Sequence, residues 1–179
     1  IESLSGQPEL YKLYNEYQRS PELYRNFWEG SVKKLNLKVN FSEEALKQIP
    51  KEGPLVVVAN HPFGVLDGLV ICWLMSLVRD DFKVLTHSLL LRAPETKGYL
   101  LPVDFALTKE AVKTNLETRK LSREFLSNGG SIVIFPSGCV STKMKMSEKI
   151  AFDCEWKVFT SRLIKQTDAT IVPIYFQGQ

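Results

Sequence analysis

The sequence predicts an α/β domain, a mostly parallel, twisted sheet flanked by helices. Three observations carry that reading. Leu55-Val56-Val57-Val58-Ala59 is apolar without interruption, as a strand covered on both faces must be. An apolar helical stretch, residues 69–78, follows within one short loop. From there to the end of the chain, strand-like and helix-like segments alternate, the pattern left by right-handed crossovers between parallel strands.

The elements are justified in chain order. Residues 8–30 read as helical and aromatic, with Leu10, Leu13, Tyr14 and Tyr17, then Leu23, Tyr24, Phe27 and Trp28, spaced near the helical period. Pro8 and Pro21 mark helix starts, the second preceded by the capping residue Ser20. Residues 35–41 alternate apolar and polar, which predicts a half-buried edge strand. Ser42-Glu43-Glu44 opens a short helix reaching Ile49, its acids placed at the positive end of the dipole. Pro50-Lys51-Glu52-Gly53-Pro54 is a turn. After the central strand and its helix, residues 82–86 form a strand, 89–95 a short helix or turn, and 98–103 lead into another strand. Thr108 caps a helix running to about residue 127, with Val112, Leu116, Phe125 and Leu126 as its apolar positions and Gly129-Gly130 as its stop. Residues 131–135 are a strand. Residues 151–166 read as an amphipathic helix with Phe152, Trp156, Phe159 and Leu163 in its core stripe. Residues 170–176 close the series as a strand. Residues 1–34 are expected to form a helical region and 35–179 the α/β domain. A first residue that is not Met, and an end just after a strand, suggest the ordered part of a longer protein, incomplete at its C-terminal side.

Composition narrows the function classes. The chain has 179 residues, 44% hydrophobic and 24% charged, ordinary values for a globular domain with a real core. A net charge of +3 permits attraction to an anionic surface without requiring it. Three cysteines, Cys72, Cys139 and Cys154, have no metal-like or redox-like spacing and read as reduced thiols. Two histidines are too few for a histidine-rich metal site. The longest apolar run, residues 68–78, is too short to span a bilayer and is ended by Arg79-Asp80-Asp81. No signal-peptide pattern opens the sequence. The aromatic residues near the N-terminus, flanked by Lys12, Arg19, Arg25, Lys33 and Lys34, suit either a membrane interface or a cover for one side of the sheet.

The chemistry concentrates where the central strand ends, in Asn60-His61-Pro62-Phe63-Gly64-Val65-Leu66-Asp67-Gly68. Open α/β sheets bind ligands beyond the carboxyl ends of their strands. A carboxylate bonded to one imidazole nitrogen fixes the tautomer and leaves the other nitrogen to accept a proton. His61 is therefore the candidate general base and Asp67 its orienting partner.

These residues resemble the first motif of the PlsC-type glycerolipid acyltransferases, which transfer a fatty acyl chain from a thioester carrier to a lipid hydroxyl. Here five residues separate His61 from Asp67, one more than is usual in that motif. The His-Pro-Phe-Gly wording resembles the branch called hemolysin-like, which includes O-acyltransferases of lyso-ornithine lipids and related amino-acid lipids. Three later segments resemble the family in the same order: residues 89–94 with Leu101-Pro102-Val103-Asp104, Ile134-Phe135-Pro136-Ser137-Gly138, and Ile171-Val172-Pro173-Ile174. The resemblance covers roughly residues 50–179. It implies an O-acyltransferase acting on a lysolipid, with acyl carrier protein or coenzyme A as acyl donor and peripheral contact with the inner face of a bacterial cytoplasmic membrane. That acyl-transfer chemistry is expected to need no metal or other cofactor. It also implies substrate contacts from Asn60, Phe63 and Gly64, and from Pro136, Ser137 and Gly138. His87 and Arg92 stand where the family carries basic residues, and either holds a phosphate or headgroup or plays a structural part. Ser137 replaces the family's usual acid and Val140 its arginine, which points away from a glycerol-3-phosphate headgroup. Lys143 is a headgroup contact or a solvated lysine. Cys139 lies in no nucleophile elbow or cysteine-hydrolase signature, so packing is expected of it. The alternatives are an inactive lipid-binding domain of the same scaffold and a thioester hydrolase.

Overall fold

The computed structural model describes residues 7–87, 93–143 and 151–178. It contains helices α1 (Gln7–Gln18), α2 (Phe27–Lys34), α3 (Glu43–Lys47), α4 (Val65–Val78), α5 (Lys109–Ser127) and α6 (Val158–Thr167). The strands are β1 (Leu55–Ala59), β2 (Phe82–His87), β3 (Leu100–Val103), β4 (Ser131–Ile134) and β5 (Thr170–Ile174). They form one five-stranded sheet in the order β3-β2-β4-β1-β5, and every neighbouring pair is parallel. The α/β architecture is the predicted one.

The period of two along β1 divides the core. Leu55, Val57 and Ala59 point to one face, where Ile71 and Met75 of α4 and Trp28 of α2 cover them. Val56 and Val58 point to the other, against Leu126 of α5 and Leu163 of α6. Leu55, Val56 and Val57 are completely buried, as the unbroken apolar run requires. Thr108 caps its helix as predicted, its Oγ1 accepting the Ala111 N–H at 3.1 Å, and Ser42, where a helix was expected to open, accepts the Ala45 N–H at 3.1 Å.

This topology creates a crevice. From β1 the chain enters α4 on one face of the sheet, and from the adjacent β4 it proceeds to α6 on the opposite face. The loops leaving β1 and β4 therefore diverge, and the gap between them is a topological switch point, where sheets of this kind place ligands.

Several local expectations are corrected. Residues 35–41 form no strand: Asn36 takes a left-handed φ of 51°, and Leu37 and Val39 satisfy their alternation by packing beside Val32, Val70 and Leu74. The helical stretch 8–30 is broken by a 3₁₀ turn at Pro21–Leu23, and Asn26, not Ser20, provides a side-chain cap, to the Glu29 N–H. Residues 151–157 are irregular and α6 starts only at Val158, so Phe152 and Trp156 lie exposed outside the core stripe. On α5 the buried positions are Ala111, Thr118, Ser122 and Leu126, leaving Val112 and Leu116 in solvent. α4 begins four residues earlier than expected, at Val65. Part of the segment 89–95 lies outside the described residues, and Pro94–Thr96 form a 3₁₀ turn.

The N-terminal aromatics turn inward. Tyr17 meets Phe27 edge-on at 5.5 Å, and Trp28 meets Tyr99 edge-on at 5.7 Å. Trp28 and Tyr17 are buried, while Leu10, Tyr11 and Leu23 remain exposed. These rings cover one side of the sheet, the second of the two roles open in the sequence.

Candidate active site

β1 ends at Ala59, and the next residue anchors the site from behind. The Asn60 side-chain amide donates to the Phe176 carbonyl at 2.8 Å and accepts the Phe176 N–H at 2.6 Å. Asn60, expected to touch substrate, thus uses both ends of its amide to hold β1 and the extension of β5 together.

His61 follows on the crevice floor. Gly64 has φ +63°, a conformation costly for any residue with a Cβ, and this tight turn starts α4 immediately. Asp67 falls in the first turn of α4, where the helix dipole favours a carboxylate. Its Oδ2 lies 3.1 Å from His61 Nδ1 and accepts the Phe63 N–H at 2.8 Å. Asp67 is only 1% exposed, so two donors satisfy a carboxylate shielded from water. With Nδ1–H directed at Asp67, Nε2 is the nitrogen left to accept a proton. The imidazole is stacked on Phe135, ring centres 4.1 Å apart, so residues leaving β1 and β4 meet across the switch point.

The backbone of His61 is clamped as well. Its N–H donates to Asp153 Oδ1 at 3.2 Å, and its carbonyl accepts the Ser141 N–H at 2.8 Å. Asp153 also accepts the Ser141 hydroxyl, and through Oδ2 the Trp156 indole N–H at 3.0 Å. Sequence reasoning missed Asp153. It stands 92 residues from His61 in an irregular segment read as helix, and no local pattern marks it.

A cavity of about 1220 Å³ opens over this arrangement. His61, Gly64, His87, Pro136 and Gly138 line it, together with Phe135 and Val140. His87, at the end of β2, stacks on Phe105 at 5.7 Å. Ser137 is buried and its hydroxyl donates to the Cys139 carbonyl at 2.8 Å, which fixes the turn after β4. Ser137, Phe63 and Lys143 are not among the lining residues, and Lys143 is exposed. Arg92 lies outside the described residues. The expectation of three separate thiols is corrected for two of them. The sulfurs of Cys139 and Cys154 are brought face to face, with Cα atoms 6.8 Å apart, because the turn after β4 faces the segment leading to α6. Cys72 is a buried thiol whose pKa is pushed up by burial. Among the described residues no three His, Cys, Asp or Glu side chains cluster as metal ligands, and no helix is long and apolar enough to cross a membrane.

The site is thus a histidine–carboxylate pair at the switch point of a parallel sheet, beneath a large cavity. The chain belongs to the acyltransferase family whose sequence profile matches residues 18–179. It is 25% identical over 159 residues to a lyso-glycine lipid O-acyltransferase of Phocaeicola vulgatus, covering 86% of this chain and 52% of that protein. It is 24% identical over 181 residues to a lyso-glycine lipid O-acyltransferase of Bacteroides thetaiotaomicron, covering 100% of this chain and 62% of that protein. The chain therefore spans between about half and three fifths of the length of these curated relatives.

Proposed function

We propose that this chain carries the catalytic core of an O-acyltransferase that moves a fatty acyl group from an acyl thioester to the hydroxyl of an amino-acid lysolipid. The observation that carries the proposal is the His61–Asp67 pair at 3.1 Å on the wall of a large cavity, in a chain of the acyltransferase family. His61 Nε2 takes the proton of the acceptor hydroxyl as its oxygen attacks the thioester carbonyl carbon. Asp67 holds the imidazole in the required tautomer and stabilises the imidazolium that forms. The tetrahedral intermediate collapses by breaking the carbon–sulfur bond, and the leaving thiolate recovers the proton from His61. The oxyanion needs backbone donors. The turn after β4 supplies candidates, since the Cys139 and Val140 N–H groups border the cavity and have no partner among the described residues.

The names of the two relatives support a lysolipid acceptor built on an amino acid, glycine first, with ornithine as the neighbouring choice. Ser137 and Val140, in places where glycerol-3-phosphate enzymes resembling this chain carry an acid and an arginine, support the same choice and the hemolysin-like branch. The donor in this reading is coenzyme A or acyl carrier protein thioester, and attachment is peripheral, to the inner face of the cytoplasmic membrane. Exposed Phe105, Leu107, Val140, Trp156 and Val158 rim the carboxyl end of the sheet and provide an apolar contact surface beside the cavity. The test is a product assay with lyso-glycine, lyso-ornithine and lysophosphatidate acceptors and labelled acyl donor. Diacylated amino-acid lipid, lost in His61→Ala, is expected. Free fatty acid independent of acceptor would establish a hydrolase, and no turnover by folded protein would leave a lipid-binding domain.

A further inference from the structure

The cavity has two chemically different arms. Beneath α2 and α4 its walls are apolar: Phe27, Trp28, Leu69, Cys72, Val84 and Leu100. On the opposite side of the sheet, between α5 and α6, it is lined by Arg119, Lys120, Arg123, Lys157 and Arg162. His61 sits at the strand ends between them. Among the described residues that line the cavity the only acid is Asp104, and one of its oxygens accepts the Ala106 N–H. None of the five cations is in an ion pair among the described residues. Of the α5 cations, Lys120 has Glu117 and Glu124 as helix neighbours, but the acids of α5 do not offset the two arginines. At 100° per residue, Glu110, Glu117 and Glu124 fall on a stripe away from Arg119 and Arg123, which share the face of Leu116 and look toward α6. Arg119 is held over the Phe159 ring at 5.5 Å, which fixes one guanidinium on the cavity wall.

A cationic wall with two arginines one helical turn apart, opposite an apolar arm, suits a ligand with a phosphate at one end and a hydrocarbon chain at the other. We infer that the α5–α6 wall is the seat of the phosphate on the acyl carrier, so that the thioester lies over His61 and the acyl chain enters the arm under α2 and α4. The inference rests on the acyl-transfer reading and adds where the donor binds. Both donors considered, coenzyme A and the prosthetic arm of a carrier protein, join their pantetheine to a phosphate, whereas an amino-acid lysolipid has none.

The experiment uses the full-length protein and the double variant Arg119→Gln/Arg123→Gln, with Arg162→Gln on the facing helix as an independent second variant. Binding of desulfo-coenzyme A, which cannot carry an acyl group, is measured by titration calorimetry. Lysophosphatidate binding is measured beside it. Where transfer is active, kcat/KM is compared for acyl-coenzyme A and for acyl-pantetheine, which lacks phosphate. Desulfo-coenzyme A affinity is expected to fall about tenfold or more in the double variant, and the preference for acyl-coenzyme A over acyl-pantetheine to fall with it. Unchanged desulfo-coenzyme A affinity in both variants overturns the inference. A loss confined to lysophosphatidate overturns it too, by assigning the wall to a lipid headgroup. Should no acceptor be acylated, the functional reading fails, yet the calorimetry still decides whether this wall holds a carrier phosphate.

Discussion

Asp67 Oδ2 reaches His61 Nδ1 at 3.1 Å although five residues separate the two in sequence. The left-handed Gly64 and the early start of α4 make this possible. The Phe63 N–H, bonded to the same oxygen, closes the loop on itself. The additional residue relative to the usual motif is thus absorbed in the turn, and the pair survives.

Asp67→Asn tests what the carboxylate does beyond geometry. An amide at this position can keep the Phe63 N–H bond but carries no charge to stabilise imidazolium. The expected loss in kcat is about 10²- to 10⁴-fold, with the fold retained. Circular dichroism and steady-state kinetics check it. Near-normal kcat in a folded Asp67→Asn variant would show that the Asp67 charge is not needed to stabilise the imidazolium.

Asp153→Ala removes the acceptor for the His61 N–H, the Ser141 hydroxyl and the Trp156 indole together. The residue acts through His61, so it is a positioning residue. The expected result is a lower kcat at nearly unchanged KM, with partial recovery in Asp153→Asn, which keeps an acceptor oxygen. Equal damage from Ala and Asn would assign Asp153 to charge instead of hydrogen bonding.

How legible was this in the sequence? The uninterrupted run at Leu55–Ala59 announced a strand buried on both faces, and Asn-His-Pro after it pointed to the candidate site at the strand's end. What failed depended on contacts distant in sequence. Leu37 and Val39 alternate like a strand, but β3 and β5 are the sheet's edges, and this segment packs against α4 without joining either. Trp156 has helical spacing to Phe159 and Leu163, yet its indole bonds to Asp153 and α6 starts after it. The Asn60–Phe176 latch spans 116 residues, a pairing no local pattern reveals.

Arg79 is the structural counterpart of the site at the opposite end of the sheet. It is 7% exposed, pairs with the Asp81 carboxylate at 2.6 Å, and donates to the carbonyls of Pro50, Gly53 and Gly129. Arg79→Ala leaves those carbonyls without their donor and is expected to cost about 3 kcal/mol. Hydrogen bonding to Arg79 holds the Asp81 carboxyl below its usual range. Its stabilising contribution is therefore complete above the ordinary aspartate pKa and is lost as pH falls through the lowered one. Urea denaturation at neutral pH measures the first effect, and acid titration of wild type against Arg79→Ala the second.

Cys139→Ser is expected to retain most activity. The mechanism assigns no covalent step to this sulfur, which faces Cys154 instead of His61 Nε2. Loss equal to that of His61→Ala, with labelled acyl trapped on native Cys139, would replace the general-base mechanism by a covalent one.

Membrane attachment distinguishes two surfaces. Among the described residues of the N-terminal region, Leu10, Tyr11 and Leu23 are the exposed large hydrophobics, because Tyr17 and Trp28 lie in the core. The rim beside the cavity exposes Phe105 at 54%, Trp156 at 51% and Val158 at 62%, close to the cations of α5 and α6. Under the proposed function a lipid acceptor enters the cavity, so the rim is the surface expected to meet the bilayer. Apolar insertion persists in salt, whereas lysine and arginine contacts with anionic headgroups are screened. Binding to anionic vesicles should therefore fall, without vanishing, as salt rises. Phe105→Ser/Trp156→Ser should weaken it more than Leu10→Ser/Tyr11→Ser. Vesicle sedimentation measures both. Stronger dependence on the Leu10/Tyr11 pair would move the contact to the N-terminal helix, and an intact protein that ignores anionic vesicles at low salt would end the interfacial reading.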